Sequence, residues 1–304
     1  MNMNVHQSDD YIGRFAPSPT GPLHFGSIIA ALASYLDAKY HQGLWLVRID
    51  DLDTPRVQPG AADDVLFSLE KLGLHWDKAI VYQSSRQQAY RAAEDELHKK
   101  DLLYPCYCSR KTVAGKPYPG TCLNQQTIKN AQYSIRIKTI SEKTSFTDLV
   151  QGKFEQNLKN DVGDFIIKRA DSLYAYHLAV AVDDAEQNIT HIVRGSDLIE
   201  STPRQIYLQQ QLAQITPLYA HLPVATTHLN EKISKQCKAL DVLLQEKPEN
   251  ILIHSLTHLG QQPDSSLKKA NRNEILQWAI SNWNLSKVPK TSEIIAPSQY
   301  YSPD

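Results

Sequence analysis

The stretch that most constrains the fold is residues 14–27, RFAPSPTGPLHFGS. It stands between a short strand-like piece, residues 11–15, and a long apolar-periodic run, SIIAALASYLDAKY, that reads as a helix. Gly21 and Pro22 break the chain between the two. The pattern predicts a strand, a tight turn, and a helix N-terminus bearing His24, Gly26 and Ser27. Such an N-terminus presents unpaired N–H groups and a partial positive charge, which suits a phosphate. Gly26 lets a flat ligand approach the backbone. His24 can donate a hydrogen bond to a phosphoryl oxygen as charge builds up in a transition state. Taken alone, the same residues also describe an ordinary strand–turn–helix junction.

The chain around this junction alternates. The first helix should cover 26–41, with Gly43 as its stop. LWLVRI (44–49) reads as a parallel strand buried on both faces and runs into DDLDTPR. A second helix is expected over 60–72, closed by Gly73, with a strand after it in LHWDKAIVYQ. Ser84 or Ser85 should cap a helix over 86–100. Strand and helix in turn argue for right-handed βαβ units, an α/β fold with a parallel sheet. The pattern breaks after residue 103. SIRIK, DFIIKR and LYAYHLAVAV read as strands of a β-rich insertion. ITHIVRG (189–195) returns to a buried strand, and Ser201 or Thr202 with Pro203 opens a helix to about residue 212. A polar, mostly helical tail comes after HLPVATTHLNEKISKQ, and its last fifteen or so residues should be poorly ordered. The expected division is 1–103 and 189–225 for the sheet, 104–188 for the insertion, and 226–304 for the tail.

Composition narrows the class. With 304 residues and 41% hydrophobic content, the chain can bury a sizeable core. The net charge of −1 means that any nucleic acid must bind a local basic patch. MNMNVHQSDD has no apolar segment of a secretory signal, and no apolar run approaches the roughly 18 residues that span a bilayer. Four cysteines do not make a disulfide scaffold, so a cytoplasmic setting is the expectation, with no membrane partner.

Two further clusters carry chemistry. EKISKQ (231–236) sets Lys232 and Lys235 around Ser234, which alone describes a solvated turn. Cys106-x-Cys108-x9-Tyr118-x3-Cys122 gathers three cysteines within seventeen residues. In a reducing compartment such a cluster reads as a metal site, with buried free thiols as the alternative. No His lies between residues 101 and 130, so the fourth ligand is not obvious. Cys237 is isolated and reads as structural.

PSPTGPLHFGS resembles the first signature of class I aminoacyl-tRNA synthetases of the glutamyl and glutaminyl branch. EKISKQ is similar to the lysine loop of that family in its Lys-Leu-Ser-Lys-Gln form. The resemblance implies a Rossmann-like sheet with a zinc-containing insertion and a helical stem-contact region. It implies ATP with Mg2+ at His24, Gly26, Ser27, Lys232, Ser234 and Lys235, with His24 and Lys235 catalytic. It implies L-glutamate at Arg14, Phe15, Ala16, Pro17, Ser18, Asp50, Tyr176 and Arg194. Arg14 and Arg194 would hold carboxylates, which suit the guanidinium fork, and Asp50 the ammonium. The family carries the same Cys-x-Cys and Tyr-x3-Cys pattern, which makes Tyr118 the fourth ligand of a structural Zn2+ beside Cys106, Cys108 and Cys122.

The chain departs from the family at two points. It reads Arg48-Ile49-Asp50-Asp51 where Arg-Ile-Glu-Asp is usual, and His177 stands where Gln is expected. The 69 residues after Lys235 suffice for stem-contact helices and not for an anticodon-binding domain. That points to truncated paralogues which transfer activated glutamate to queuosine at the wobble position of tRNA(Asp). Arg110, Lys111 and Lys116 would then touch the RNA, and the enzyme would be a monomer. The alternatives are a short glutamyl-tRNA synthetase that charges a 3′ end, and a non-catalytic paralogue that binds RNA or amino acid.

Overall fold

The computed structural model describes residues 11–113, 117–125, 128, 131–229, 231–233 and 242–301. β1 (Ile12–Phe15) leads through the signature turn into α1 (Phe25–Tyr40). Phe25, Ile28, Leu32 and Leu36 on α1 are all fully buried, and Ala31, Ala33 and Ala38 bury its other faces. α1 is therefore a central helix rather than an amphipathic surface one. It ends at Tyr40, and the left-handed residue there is Gln42, at φ 56°. Gly43 is not the helix stop that the sequence suggests. A Cβ on it would stand 2.2 Å from the Tyr11 carbonyl oxygen, so its bareness lets two strands begin side by side.

β2 (Leu44–Ile49) pairs in parallel with β1, Ile12 opposite Leu44. After α2 (Ala61–Lys71), LHWDKAIVYQ gives only the two-residue β3 (Val81–Tyr82), parallel to β2. The helix beyond is α3 (Gln87–Lys99), and neither Ser84 nor Ser85 caps it. A 3-10 turn, Gln83–Arg86, intervenes, and Ser84 gives its N–H and hydroxyl to the Asp51 carboxylate, at 2.7 and 2.6 Å.

β4 (Leu103–Cys106) opens the insertion and runs into the short α4 (Arg110–Val113). β4 pairs antiparallel with β5 (Ser134–Ile137). β6 (Lys143–Asp148) and β7 (Gly152–Asn157) form a separate hairpin, and the short α5 (Leu158–Asp161) comes next. β8 (Phe165–Lys168) completes the sheet in the order β4–β5–β8. LYAYHLAVAV is a correction: most of it lies in α6 (Tyr176–Glu186). Periodicity does not separate a buried strand from a buried helix in such a run. Here both faces are covered, from Leu178 to Val182.

β9 (His191–Gly195) is next, then α7 (Thr202–Gln211), which has Pro203 as its second residue, and β10 (Leu218–Leu222), parallel to β9. The Thr190 N–H donates to the Ile12 carbonyl at 2.9 Å, which sets β9 against β1. β11 (Val224–Thr226) leads toward the lysine loop. The tail holds α8 (Val242–Gln245), α9 (Pro248–His258), α10 (Arg272–Asn282) and β12 (Glu293–Ile295). Its end is not loose up to residue 301. β12 pairs in parallel with β11, and the fully buried Tyr300 stacks on Phe25 at 4.1 Å. Residues 302–304 lie outside the described part. Among the described residues no helix is long and apolar enough to cross a membrane.

Candidate active site

A cavity of about 560 Å³ opens where β1 and β9 end and α1 begins. That edge is the usual ligand site of an open α/β sheet. The residues expected to hold glutamate, Arg14 through Ser18 with Asp50, Tyr176 and Arg194, all line it. His24, Gly26, Ser27 and Lys232 line it too. Ser234 and Lys235 lie outside the described residues, as does Lys116. Lys111 is exposed on α4, which also includes Arg110.

His24 is the N-cap of α1. Its Nδ1 accepts the Ser27 N–H at 3.3 Å, and its Nε2 lies 2.9 Å from the Ser27 hydroxyl. The ring thus occupies one of the backbone donors that a phosphate would otherwise meet. A Cβ on Gly26 would stand 3.3 Å from that ring, so a side chain there would crowd it. Across the cavity Lys232 is paired with Asp197 at 2.6 Å.

Arg14 reaches the cavity from β1 and is held from behind. Its Nε and Nη2 donate to the two oxygens of Asp184, at 3.2 and 3.3 Å. Arg48, fully buried, donates to the same Asp184 at 2.6 Å and to Asp50 at 2.8 Å. The Asp184 carboxyl stays below the usual carboxylate range: burial pushes it up, but Arg14 and Arg48 outweigh that. Asp50 goes the other way. Burial pushes its carboxyl up to about 6 despite Arg48 beside it. Asp50 therefore faces the cavity as a carboxylate that a cation would keep charged. Asp184 carries no motif of its own. The signal for it is an Asp183-Asp184 pair inside an apolar run, where acids are buried only when paired.

Arg194 comes from β9 and is equally constrained. Its Nη2 donates to Thr202 and to Gln205, both at 2.8 Å, and its Nε to His221 at 3.1 Å. Its Nη1 is buried and makes no hydrogen bond among the described residues. His177 is half-buried, and desolvation with Arg204 and Arg194 nearby lowers its imidazole to about 3, so it is neutral.

The cysteine cluster forms at the end of β4. The Sγ atoms of Cys106, Cys108 and Cys122 all lie within 4.8 Å of one another, Cys108 and Cys122 at 3.6 Å. Thiolates about 2.3 Å from one tetrahedral zinc stand roughly 3.8 Å apart, so the donor set fits that ion. The Tyr118 hydroxyl is 3.4 Å from Cys106 Sγ and 3.9 Å from Cys108 Sγ. Sequence reading misses Arg136. It donates to Cys106 Sγ at 3.1 Å and stacks over the Tyr118 ring at 3.7 Å. Burial pushes the Cys106 thiol up, but hydrogen bonds from Tyr118 and Arg136 outweigh it and hold the thiol at about 7. A second cavity of about 550 Å³ runs from this insertion to the first and shares Ser18, Asp50, Arg56 and Tyr176 with it.

The sequence model of the class I (E and Q) tRNA synthetase catalytic domain matches residues 12–117 and 118–293. The glutamyl-Q tRNA(Asp) synthetase of Dechloromonas aromatica is 46% identical over 298 residues, covering 95% of this chain and 99% of that protein. That of Photobacterium profundum is 48% identical, covering 96% of this chain and 95% of its own. The chain belongs to the glutamyl-Q tRNA(Asp) synthetase family. It is therefore a class I ligase. A solved glutamate-tRNA synthetase from Elizabethkingia anophelis superimposes with a TM-score of 0.80 at 24% identity, over 96% of this chain and 69% of that one. That likeness bears on the fold: the chain has the α/β architecture expected from its alternating strands and helices.

Proposed function

We propose that this enzyme activates L-glutamate with ATP and Mg2+ and transfers it to queuosine at the wobble position of tRNA(Asp). The observation that carries the activation half is the pairing, in one cavity, of buried arginines with the carboxylate of Asp50. A dicarboxylic amino acid needs two anion sites and one cation site. Arg14 and Arg194 bind the carboxylates and Asp50 the ammonium, with the backbone of residues 15–18 and Tyr176 shaping the pocket. His24 leaves its cap and donates to the triphosphate as α1 presents its free N–H groups. Lys232, Ser234 and Lys235 hold the phosphates, and Lys235 stabilises the pyrophosphate as it leaves. A structural zinc held by Cys106, Cys108, Tyr118 and Cys122 would fix the insertion against the sheet. The second cavity adjoins the glutamate pocket, which supports an acceptor nucleotide entering from the insertion side. The near full-length match to named glutamyl-Q tRNA(Asp) synthetases supports queuosine as that acceptor. A cis-diol offers the same nucleophile in queuosine as in a terminal ribose, so one adenylate serves either.

The test separates the two acceptors. Glutamate charging of tRNA(Asp) should survive removal of the 3′-terminal adenosine and vanish when queuosine is absent. Charging of unmodified tRNA(Glu) that needs an intact 3′ end would overturn the queuosine reading in favour of a short glutamyl-tRNA synthetase.

A further inference from the structure

Behind Arg194 lies a buried chain of hydrogen bonds that belongs to neither signature. Asp148 ends β6 at the tip of the hairpin in the insertion, and His221 lies on β10; both side chains are fully buried. Asp148 Oδ1 accepts the backbone N–H groups of Val150, Gln151 and His221 at 3.0, 2.8 and 3.0 Å. Its Oδ2 lies 2.6 Å from His221 Nδ1. A carboxylate with that many donors is fixed as an anion acceptor, so Nδ1 carries the proton and donates. His221 Nε2 is then left as a lone pair, and it accepts the Arg194 Nε–H at 3.1 Å, with the Thr202 hydroxyl beside it at 3.2 Å.

Thr202 and Gln205 take up Nη2, so each other edge of the guanidinium has a fixed partner and Nη1 does not. Tyr219 packs against both Arg194 and His221, at 5.4 and 6.1 Å. This goes beyond shape filling, because the direction of each hydrogen bond depends on the one before it. With the proton on the other ring nitrogen, His221 could turn its N–H only to the Thr202 hydroxyl, and Arg194 Nε–H would lose its acceptor.

We propose that Asp148 and His221 are positioning residues that aim the Nη1 edge of Arg194 at a substrate carboxylate, by fixing the tautomer of the histidine between them. The inference rests on the reading of Arg194 as a carboxylate ligand. It makes the hairpin of the insertion part of the amino-acid site, although no hairpin residue lines that cavity.

Asp148→Asn is the informative change. The amide keeps an oxygen for the backbone N–H groups but puts a donor where Oδ2 accepted. The imidazole then takes its proton on Nε2, and Arg194 Nε–H is left without its acceptor. Measured by ATP–pyrophosphate exchange, the KM for glutamate should rise about tenfold, the loss of one hydrogen bond to a charged group. The KM for ATP, the kcat and the melting temperature should stay near wild type. His221→Gln returns an acceptor to Arg194 and should show a smaller rise. It carries the test alone if Asp148→Asn does not fold. Arg194→Lys is the control for the pocket itself. If it raises the glutamate KM while Asp148→Asn and His221→Gln do not, the positioning role is overturned and the pocket reading stands. If Arg194→Lys changes nothing, the pocket reading falls and the inference with it. Parallel losses in both KM values, kcat and melting temperature would reduce the pair to scaffolding and overturn the proposal.

Discussion

A single methylene separates Asp50 from the glutamate usual at its place, and the structure shows what the shorter side chain does. It turns to Arg48, at 2.8 Å, in a setting where burial lifts its carboxyl to about 6. Below about pH 6 the free enzyme holds Asp50 as a neutral acid, which attracts an ammonium poorly. The kcat/KM for glutamate in pyrophosphate exchange should therefore fall as pH drops through about 6, which lies above the range where the substrate's own side chain titrates, about 4.3. Saturating glutamate keeps the carboxylate charged, so the same limb in kcat should lie at lower pH. Asp50→Asn should be poor at every pH and lack the limb. A limb that persists in that variant belongs to another group and sinks the assignment. Residues of this kind are legible because they sit in signatures. Asp184 and His221 are not: each acts through an arginine of the site, and partners far apart in sequence are joined only by folding.

Among the elements, the cysteine segment depends on a contact no cysteine makes. Gly163 has φ 73°, and a Cβ on it would stand 2.2 Å from the carbonyl oxygen of Tyr118, the residue with which it forms an isolated bridge. Gly163→Ala should displace Tyr118 and loosen the cluster without touching a sulfur. Metal analysis is expected to find one zinc per wild-type chain, little in Cys108→Ser, and faster loss to a chelator in Gly163→Ala. Full zinc retention in Cys108→Ser would show the metal lies elsewhere. The legibility of the elements tracks their periodicity. α1 and β2 are readable because their flanks break cleanly, whereas α6 reads as a strand. Its Ala-Val alternation fits a pleat as well as a helix buried on both sides, and only packing on α3 and α7 decides. The tail strand β12 escapes sequence reading because it is three residues long and draws its order from β11.

Across the whole molecule, the tail is a structural member of the face that carries α1. Trp283 donates its indole N–H to Asp37 of α1 at 2.8 Å, and Tyr300 stacks on Phe25, the residue after His24. Tyr300→Ala should lower stability by about 3–5 kcal/mol, the usual range for a buried large aromatic. Urea unfolding measures it, and a change under about 1 kcal/mol would mean that the tail merely rests on the surface. The stacking also sets an order of events in the cell. Translation at about 5–20 residues per second takes roughly 15–55 s to pass from Phe25 to Tyr300. For that interval the apolar cap over the histidine's helix is missing, while the strands that pack around it are made one after another. The cap over the start of α1 is thus among the last parts of the chain to be made, and a ribosome stalled before β12 holds a chain whose Phe25 ring has no Tyr300 to stack on.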